Sequence, residues 1–305
     1  MNLSVIICTY NPDLTIFNKC LEAISIASAI KKPYEIIIID NNSTNSISKN
    51  PFVQSFIHKQ SAKLICETKA GLTPARLRGI AEATGDLLIF IDDDNFIAEN
   101  FFIKGLDVAN KYQHTGSWSG RVTLEFEEEP ASWTKPYWGM LVNREITDDK
   151  WSNLPHLAET MPCGAGLFVR KNVADHYLEL HKAGKRNVQM DRTGNSLFSA
   201  GDNDLSACAC DLGMGVGVFH ELNVVHYIPA YRTQKEYLLK LAQGIAASGI
   251  VFRSFRGEYP HKLTIKKKIA NALRWILMTS IARQFFTAVL NGEKQGKAIL
   301  DKENI

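Results

Sequence analysis

Three consecutive carboxylates, Asp92, Asp93 and Asp94, follow an apolar run and are the strongest chemical signal in the sequence. Neighbouring carboxylates repel one another, so the pKa of some members of a free triplet would rise. A divalent cation removes that penalty, because Mg²⁺ and Mn²⁺ prefer carboxylate and phosphate oxygens as ligands. The triplet therefore indicates a site for Mg²⁺ or Mn²⁺. The structural alternative is a solvated acidic turn that caps the following helix.

The elements that must position these carboxylates alternate between strands and helices over the first hundred residues. Glu35–Asp40 is an apolar run without alternation, which is typical of a parallel strand covered on both faces. The β-α-β-α order predicts an α/β fold with a mostly parallel, doubly wound sheet. Ligands of such sheets bind at the carboxyl ends of the strands, where Thr9, Asp40 and the acidic triplet would lie. Further strands are predicted at 3–8, 62–66 and 86–91. One helix is predicted from apolar residues that recur on one face, namely Leu14, Phe17, Leu21 and Ile24. A second helix is predicted to begin at Thr73 and Pro74 and to end at Gly85.

The rest of the chain is less regular. Residues 115–165 are rich in Trp, Pro and acidic residues, which indicates a functional loop region rather than a linker. Regular structure is predicted to return at 166–170, with a helix from Lys171 and a second helix after Asp202, followed by two helices at about 234–252 and 263–291. We expect a catalytic domain at 1–230, with a nucleotide-binding half at about 1–112 and an acceptor half at about 113–230, and a basic helical extension at 231–305.

Four segments in the first hundred residues carry a family resemblance. They are residues 5–11 (VIICTYN), 38–44 (IIDNNST), 75–86 (ARLRGIAEATGD) and the Asp-x-Asp motif from Asp92 to Asp94. In this order and spacing they resemble the inverting glycosyltransferases of family 2. The resemblance implies a GT-A fold and a nucleotide-sugar donor, with a UDP-sugar expected. It also implies a role in bacterial surface polysaccharide or glycoconjugate assembly.

The resemblance also implies roles for individual residues. Asp40 would hydrogen-bond the base, and Arg76 would reach the nucleotide or its phosphates. The sequence departs from the family directly after Arg76, at Leu77, where members commonly carry Asn. Asp92 would face the ribose or the donor sugar, and Asp94 would bind the metal. Thr9, Tyr10, Asn11 and Asp93 complete the implied nucleotide-binding set. The structural alternatives are that Thr9 and Asn11 end a strand and cap a helix, and that Asp40 starts an Asx-turn.

A second acidic segment, residues 200–205, resembles the family's Glu-Asp-x-Asp/Glu-Leu motif, with Gly201 in place of the Glu. Asp202 takes the position of the general base. An inverting transfer needs a carboxylate opposite the leaving diphosphate, to take the proton of the acceptor hydroxyl. The alternative is that Asp202 is the N-cap of the helix at 203–212, and Asp204 would support the site or cap.

His226 follows an apolar, strand-like run, and similar enzymes often place a His here that approaches the metal or the diphosphate. It is therefore a second candidate metal ligand, although a His at a strand end is ordinarily structural. Arg232 could neutralise a phosphate or lie on the surface.

Two other functions remain open at this point. Gly201, in place of the family Glu, prompts the alternative of a nucleotide-sugar binding protein that has lost turnover. A sugar-phosphate nucleotidyltransferase would share the sheet, but that class usually has a Gly-rich loop with Arg or Lys after the first strand. Here residues 9–12 are Thr-Tyr-Asn-Pro.

Composition and charge exclude several protein classes. The chain has 305 residues, 45% of them hydrophobic, so neither wholesale disorder nor a disulfide-dependent miniprotein is expected. The six cysteines form no regular framework, and reduced thiols in a cytoplasmic protein are the simplest interpretation. The opening residues lack the features of a secretory signal, and no uncharged apolar run reaches the ~18–20 residues of a membrane span. The net charge of +3 gives no support for a nucleic-acid partner.

The charge is unevenly distributed along the chain. Residues 231–305 contain 14 Lys and Arg against 5 Asp and Glu. Basic and apolar residues at 262–291, including Trp275, Phe285 and Phe286, form the pattern of an interfacial amphipathic helix. Such a helix would allow peripheral contact with the inner face of the membrane and would suit a lipid-linked acceptor. The alternative is that the same apolar stripe packs on the catalytic domain.

Overall fold

The structure is a computed structural model that describes residues 1–194, 196–258 and 265–303. It contains two compact units. The first comprises Met1–Lys185 and Asp202–Ala230, and the second comprises Arg186–Gly201 and Tyr231–Ile305. One division falls after Ala230, and Arg186–Gly201 is grouped with the C-terminal residues.

The amino-terminal half of the first unit alternates strands and helices as predicted. Its elements are β1 (Leu3–Thr9), α1 (Leu14–Ile30), β2 (Glu35–Asp40), α2 (Pro51–Gln60), β3 (Lys63–Cys66), α3 (Leu72–Glu82) and β4 (Leu87–Asp92). The elements that follow are β5 (Asn95–Ile97), α4 (Phe101–Lys111), β6 (Thr115–Phe126), β7 (Lys150–Ser152), β8 (Leu167–Arg170), α5 (Lys171–Lys182), α6 (Gly201–Asp211) and β9 (Gly215–Ile228).

The described strands form one sheet in the order β3-β2-β1-β4-β8-β6-β9-β5, with β7 paired to β9. The four strands β1–β4 are mutually parallel, β6 runs parallel to β9, and β8 and β5 are antiparallel to their neighbours. Side chains of β1, β2 and β4 alternate between two separate hydrophobic clusters, one on each face of the sheet. The prediction of an α/β fold with parallel strands buried on both faces is therefore confirmed.

The helix boundaries differ from the prediction at α3. The helix begins at Leu72 with Gly71 as its N-cap, so Thr73 and Pro74 lie inside its first turn. It ends at Glu82, before Gly85. Gly85 has a different role, because a Cβ atom there would lie 2.5 Å from Ser4 Oγ and 2.8 Å from the Asn2 carbonyl oxygen. The absence of a side chain allows the chain to enter β4 close to β1.

Strand β6 lies inside the region that we expected to be irregular. Its first half contains small residues that resemble a turn sequence, but they are buried because other elements pack directly on them. A Cβ atom on Gly116 would contact Ala209 and Val173, and one on Gly120 would overlap the backbone of Leu222. Close packing of neighbours, rather than turn formation, is the reason for glycine here. A 3₁₀ helix, Ser132–Leu141, covers part of the remaining irregular region.

The C-terminal unit contains α7 (Lys235–Phe255), α8 (Ile265–Leu277) and α9 (Ser280–Glu303) in its described part. The helix predicted at 263–291 is therefore two helices that are separated near Met278, and residues 263–264 lie outside the described residues. Helix α9 packs closely on α7, because Gly292 and Gly296 let its backbone approach. A Cβ atom on Gly296 would lie 2.6 Å from the carbonyl oxygen of Ala247.

Glu35 connects three elements of the first unit. Its Oε1 accepts hydrogen bonds from Ser4 Oγ at 2.8 Å and the Thr84 amide at 2.7 Å, and its Oε2 lies 3.0 Å from Lys63 Nζ. Burial raises the pKa of Glu35, but the combined effect of the Thr84 amide and the other donors outweighs it and lowers the pKa to about 2. Because the folded-state pKa is depressed, the carboxylate stabilises the fold above pH 4.5, and this stabilisation is lost as the pH falls towards 2.

We therefore expect Glu35→Gln to lower the free energy of unfolding by about 2 kcal/mol at pH 7, and by much less near pH 2. Urea denaturation of the wild type and the variant at both pH values measures the difference. Glu22→Gln, at an exposed carboxylate on α1, is the matched control. A difference for Glu35→Gln that does not depend on pH would contradict this assignment.

Candidate active site

The predicted site residues of the strands meet at one edge of the sheet. Thr9 and Asp40 are paired in register at the ends of β1 and β2, and Cys8 of β1 is paired with Asp92 at the end of β4. Parallel strands place their carboxyl ends at the same edge, so this convergence follows from the strand order.

The acidic triplet forms the turn between β4 and β5. Asp92 is the last residue of β4, and Asp93 accepts a hydrogen bond of 2.5 Å from Thr9 Oγ1. Asp94 Oδ1 accepts a hydrogen bond of 2.9 Å from Asn95 Nδ2. The element after the triplet is the strand β5 rather than a helix. The alternative that the triplet caps the following helix is therefore wrong.

His226 lies on β9, opposite Asn95 in the ladder with β5, and it is 7% exposed. Its Nδ1 lies 3.0 Å from the carbonyl oxygen of Leu141, which can only accept, so Nδ1 carries the proton of this hydrogen bond. Its Nε2 lies 3.4 Å from Asp94 Oδ2. An imidazole that is fixed through Nδ1 in this way presents Nε2 to the acidic turn, as metal-binding histidines commonly do.

Asp92 is surrounded by charged groups. Burial raises the pKa of Asp92, the Arg76 guanidinium opposes this rise, and the Asp94 carboxylate adds to it. His226 and Asp202 also act on Asp92 electrostatically, in opposite directions. Arg76 is 3% exposed, and its Nη2 lies 4.0 Å from Asp92 Oδ1. The site therefore combines several carboxylates with a buried cation that limits their repulsion.

Asp202 is the second residue of α6, so the residue that precedes the helix is Ala200. The Gly164 amide donates a hydrogen bond of 2.6 Å to Asp202 Oδ2, and the Asn203 amide donates one of 2.9 Å to Oδ1. The bond from Gly164 comes from a distant part of the chain, which the N-cap interpretation does not require. Asp204, two residues further along, is completely buried.

The loops after β1 and β2 are tied together by side chains. Asn11 has a left-handed backbone with φ of 48°, and its Oδ1 accepts the Thr44 amide at 2.8 Å. Asp40 Oδ1 accepts the Ser43 amide at 2.9 Å, three residues further on, whereas the Asx-turn given as its structural alternative bonds the amide two residues on. Tyr10, which directly follows β1, is 60% exposed. Among residues 9–11, the structure thus buries Thr9, engages Asn11 in the loop and leaves Tyr10 at the surface.

Asn41 is a structural residue of this edge that the sequence analysis did not single out. Its Nδ2 donates to the carbonyl oxygens of Glu67 and Lys69, and its Oδ1 accepts the Gly71 amide at 2.7 Å. It therefore fixes the segment that leads from β3 into α3, the helix that carries Arg76. Its position directly after the apolar strand β2 was the signal available in the sequence.

Gly201 has a physical explanation within the C-terminal unit. The Asp191 carboxylate occupies the space of a side chain at position 201, and its Oδ1 lies 2.5 Å from the position of a Cβ atom there. Asp191 is 4% exposed. A larger residue at position 201 would therefore overlap a buried carboxylate.

Comparisons with known proteins identify the family of the chain and the likeness of its fold. The family profile described as Glycosyl transferase family 2 matches residues 4–177, which is more than half of the chain. Over 92 residues the chain is 33% identical to glycosyltransferase AglE of Haloferax volcanii, a segment that covers 30% of each chain. Over 96 residues it is 32% identical to the uncharacterized glycosyltransferase YwdF of Bacillus subtilis, covering 32% of this chain and 34% of that one. The matched segments thus span about a third of these curated relatives.

Solved structures show the likeness of the fold. The chain aligns with Staphylococcus aureus TarS over 99% of its own length and 55% of that chain, with a TM-score of 0.54 and 13% identity. A structure of TarS residues 1–349 aligns over 99% of this chain and 92% of that one, with a TM-score of 0.52 and 14% identity. A structure of GalNAc-T7 with UDP, GalNAc and Mn²⁺ covers 90% of this chain and 54% of that one, with a TM-score of 0.50 and 14% identity.

Proposed function

Because the chain belongs to glycosyltransferase family 2, we propose that it transfers a sugar from a nucleotide diphosphate donor to a hydroxyl acceptor with inversion. The proposed donor is a UDP-sugar, and the proposed process is the assembly of bacterial surface polysaccharide or glycoconjugate. The observation that carries this proposal is the convergence of the acidic turn 92–94, Arg76, His226 and Asp202 in one compact unit.

The nucleotide side of the site is formed by the ends of β1 and β2. Asp40 would accept a hydrogen bond from the base, and the hydrogen bond from Thr9 would keep Asp93 beside the nucleotide. Tyr10 is exposed and would contact the nucleotide from the loop, together with Asn11. Arg76 would neutralise charge on the diphosphate while it limits repulsion among the carboxylates. Asp92 would face the ribose or the donor sugar.

Asp94 and His226 fit a divalent cation, Mg²⁺ or Mn²⁺. Nε2 of His226 and Oδ2 of Asp94 face each other at 3.4 Å while Nδ1 is engaged by Leu141, so an oxygen and a nitrogen donor converge. In the described part of the chain, no group of three or more His, Cys, Asp or Glu side chains is arranged to hold a metal. A cation held here by Asp94 and His226 would take its remaining ligands from substrate phosphates and water, as Mg²⁺ commonly does. When bound, it would supply a Lewis acid for the departing diphosphate.

Asp202 would act as the general base. Its carboxylate, held by the Gly164 and Asn203 amides, would accept the proton of the acceptor hydroxyl as that oxygen attacks the anomeric carbon and the diphosphate leaves. In an inverting displacement the new bond forms on the face opposite the broken one. The base and the diphosphate-binding groups must therefore lie on opposite sides of the sugar.

A panel of nucleotide sugars with Mn²⁺ or Mg²⁺ tests this function. Thermal stabilisation identifies the donor, because a ligand at 100 times its dissociation constant adds about 2.7 kcal/mol to stability. Slow hydrolysis of the same donor in water then reports turnover. Stabilisation without hydrolysis would favour a binding protein that has lost turnover, and the absence of both would contradict the proposal.

We also propose that α8 contacts an anionic membrane and thereby brings the enzyme to a lipid-linked acceptor. Residues 259–292 contain six Lys and Arg and no Asp or Glu, so their charge complements an anionic surface. The apolar side chains near the end of α8 are exposed: Leu273 (58%), Trp275 (44%), Ile276 (61%) and Leu277 (87%). Phe285 on α9 is buried instead, so only part of the predicted stripe at 262–291 is available. None of the helices in the described ranges is long and apolar enough to cross a membrane.

The orientation of α8 relative to α9 is fixed by Arg283. Its Nε and Nη2 donate hydrogen bonds of 2.9 and 2.8 Å to the carbonyl oxygens of Trp275 and Ile276, and its guanidinium lies 4.7 Å from the centroid of the Trp275 ring. Arg283 thus satisfies carbonyls in the last turn of α8. The exposed apolar residues are consequently held on a formed helix end rather than on a loose segment.

The triple variant Leu273→Asn/Ile276→Asn/Leu277→Asn is expected to lose at least ~10-fold in affinity for phosphatidylglycerol-containing vesicles, because it removes exposed apolar contacts. Each basic residue near an anionic surface contributes about 1 kcal/mol of electrostatic attraction. Because salt screens this attraction, binding of the wild type should weaken at high salt. Vesicle co-sedimentation at low and high salt measures both effects. Ile26→Asn/Ile30→Asn, at exposed apolar residues of α1, is the matched control. If the wild type does not bind the vesicles at either salt concentration, this proposal is contradicted.

A further inference from the structure

Residues 163–166, which lead into β8, are fixed in position by their neighbours. The Cys163 amide donates a hydrogen bond of 3.0 Å to Ser119 Oγ on β6, and both residues are buried. At the other end, Gly166 has a left-handed backbone with φ of 65°, and a Cβ atom there would lie 2.7 Å from Phe101 and 2.9 Å from Val224. The amide of Gly164, between these two points, therefore has a defined direction.

Gly164 lies between two charged groups of the site. Its amide donates to Asp202 Oδ2 at 2.6 Å. A Cβ atom at this position would lie 2.9 Å from Arg76 Nη2 and 3.2 Å from Asp202 Oδ2. The φ angle of Gly164 is not positive, so residues with a side chain could adopt the same backbone conformation. Glycine is required here because a side chain would have too little space beside Arg76 and Asp202, and not because of the backbone conformation.

We propose that Gly164 is a positioning residue for the transfer reaction: its amide orients the Asp202 carboxylate, and its missing side chain leaves Arg76 and Asp202 facing a common space. This inference rests on the proposed function, because it takes Asp202 as the base. The Gly164 and Asn203 amides hold one carboxylate oxygen each. Since a carboxylate offers about four lone-pair sites, two backbone donors can fix its plane and still allow it to accept a hydroxyl proton.

A fixed donor of this kind costs no reorganisation during the reaction. The sugar has to pass between the group that binds the diphosphate and the group that takes the proton. A methyl group at position 164 would project towards both. It would displace the Arg76 guanidinium, the Asp202 carboxylate or both, and small displacements of catalytic groups reduce rates strongly.

Gly164→Ala tests the inference by a split between turnover and binding. The turnover number for hydrolysis of the UDP-sugar that stabilises the wild type should fall at least ~10-fold. The affinity for UDP should fall much less than the turnover number does, because a shift of Arg76 weakens only one contact to the diphosphate, whereas a shift of Asp202 disrupts proton transfer in the transition state. Gly249→Ala, in α7 where a Cβ atom meets nothing within 4 Å, is the control and should match the wild type.

A double-mutant cycle with Asp202→Asn separates positioning from a general structural effect. If Gly164 acts through Asp202, Gly164→Ala should reduce turnover less than ~2-fold in the Asp202→Asn background. An equal reduction in both backgrounds, or turnover of Gly164→Ala within twofold of the wild type, would overturn the inference.

Ser119→Ala keeps the test independent of the folding of Gly164→Ala. It removes the hydroxyl that holds the Cys163 amide, so turnover should fall several-fold in the wild-type background and hardly at all with Asp202→Asn. Unchanged turnover of Ser119→Ala would count against the inference. Failure of the wild type to hydrolyse any donor would instead contradict the proposed function itself.

Discussion

Asp94→Ala is expected to weaken the binding of UDP in the presence of Mn²⁺ by at least ~10-fold, in the range seen when a group that supports a metal is removed. The variant lacks the carboxylate that faces His226 Nε2 at 3.4 Å, so one of the two converging donors is gone. In EDTA the same substitution should leave UDP binding unchanged or slightly tighter, because it removes a negative charge beside the diphosphate. Titration calorimetry of UDP, with Mn²⁺ and with EDTA, measures all four affinities.

The matched control for this experiment is Asp86→Ala, since Asp86 is an exposed carboxylate at the opposite end of the segment that forms β4. It should bind UDP as the wild type does under both conditions. In the presence of Mn²⁺, His226→Ala should weaken the binding of UDP as Asp94→Ala does. Equal UDP affinity in the wild type and Asp94→Ala, with and without EDTA, would show that Asp94 holds no metal.

The carboxyl edge of the sheet could be predicted because its strands have a simple signature. Strands β1, β2 and β4 are parallel and buried on both faces, so each contains a run of at least four consecutive apolar residues. Polar residues directly after such runs must meet at one edge. Asp40 and Asp92 were therefore located by sequence pattern alone. The rise in the pKa of Asp92 follows from the same reasoning, since burial and the neighbouring Asp94 carboxylate both favour its protonated form.

The second half of the sheet could not be predicted in the same way. The first half of strand β6 contains two glycine and two serine residues, whose burial depends on contacts with α5, α6 and β9 that no local pattern encodes. The hydrogen bond between Gly164 and Asp202 joins residues 38 positions apart, so its geometry also depends on the tertiary fold. Asp191 is a further example, because its relation to Gly201 is visible only once the segment is folded.

The break between α8 and α9 shows a similar limit of periodicity. Apolar spacing alone predicted a continuous helix at 263–291, because the pattern persists across Met278. The described helices end and begin there, and Arg283 bonds back to the last turn of α8 across the break. The pattern therefore indicated the amphipathic character of this region correctly but not its division into an exposed and a packed part.

Asp202→Asn is expected to reduce transfer at least ~10²-fold, the lower end of the loss of a general base, or about 2.7 kcal/mol of transition-state stabilisation. The amide side chain keeps one oxygen, which can accept the Gly164 amide, and places its NH₂ group beside the Asn203 amide instead of the second acceptor. Since this change is local to the first turn of α6, donor binding should be preserved within a few-fold. It cannot take the proton of the attacking hydroxyl at neutral pH. Donor hydrolysis and UDP titration on the same preparation separate the two effects.

The control is Asp211→Asn, at the last residue of the same helix, where the carboxylate lies 3.5 Å from His176 at the far end from Asp202. It should hydrolyse the donor at the wild-type rate. If Asp202→Asn also does so while it remains folded by circular dichroism, the proton is taken by another group and Asp202 has a structural role. If UDP affinity falls together with turnover, Asp202 contributes to binding the donor rather than to proton transfer, because a base that acts on the acceptor affects the transition state alone.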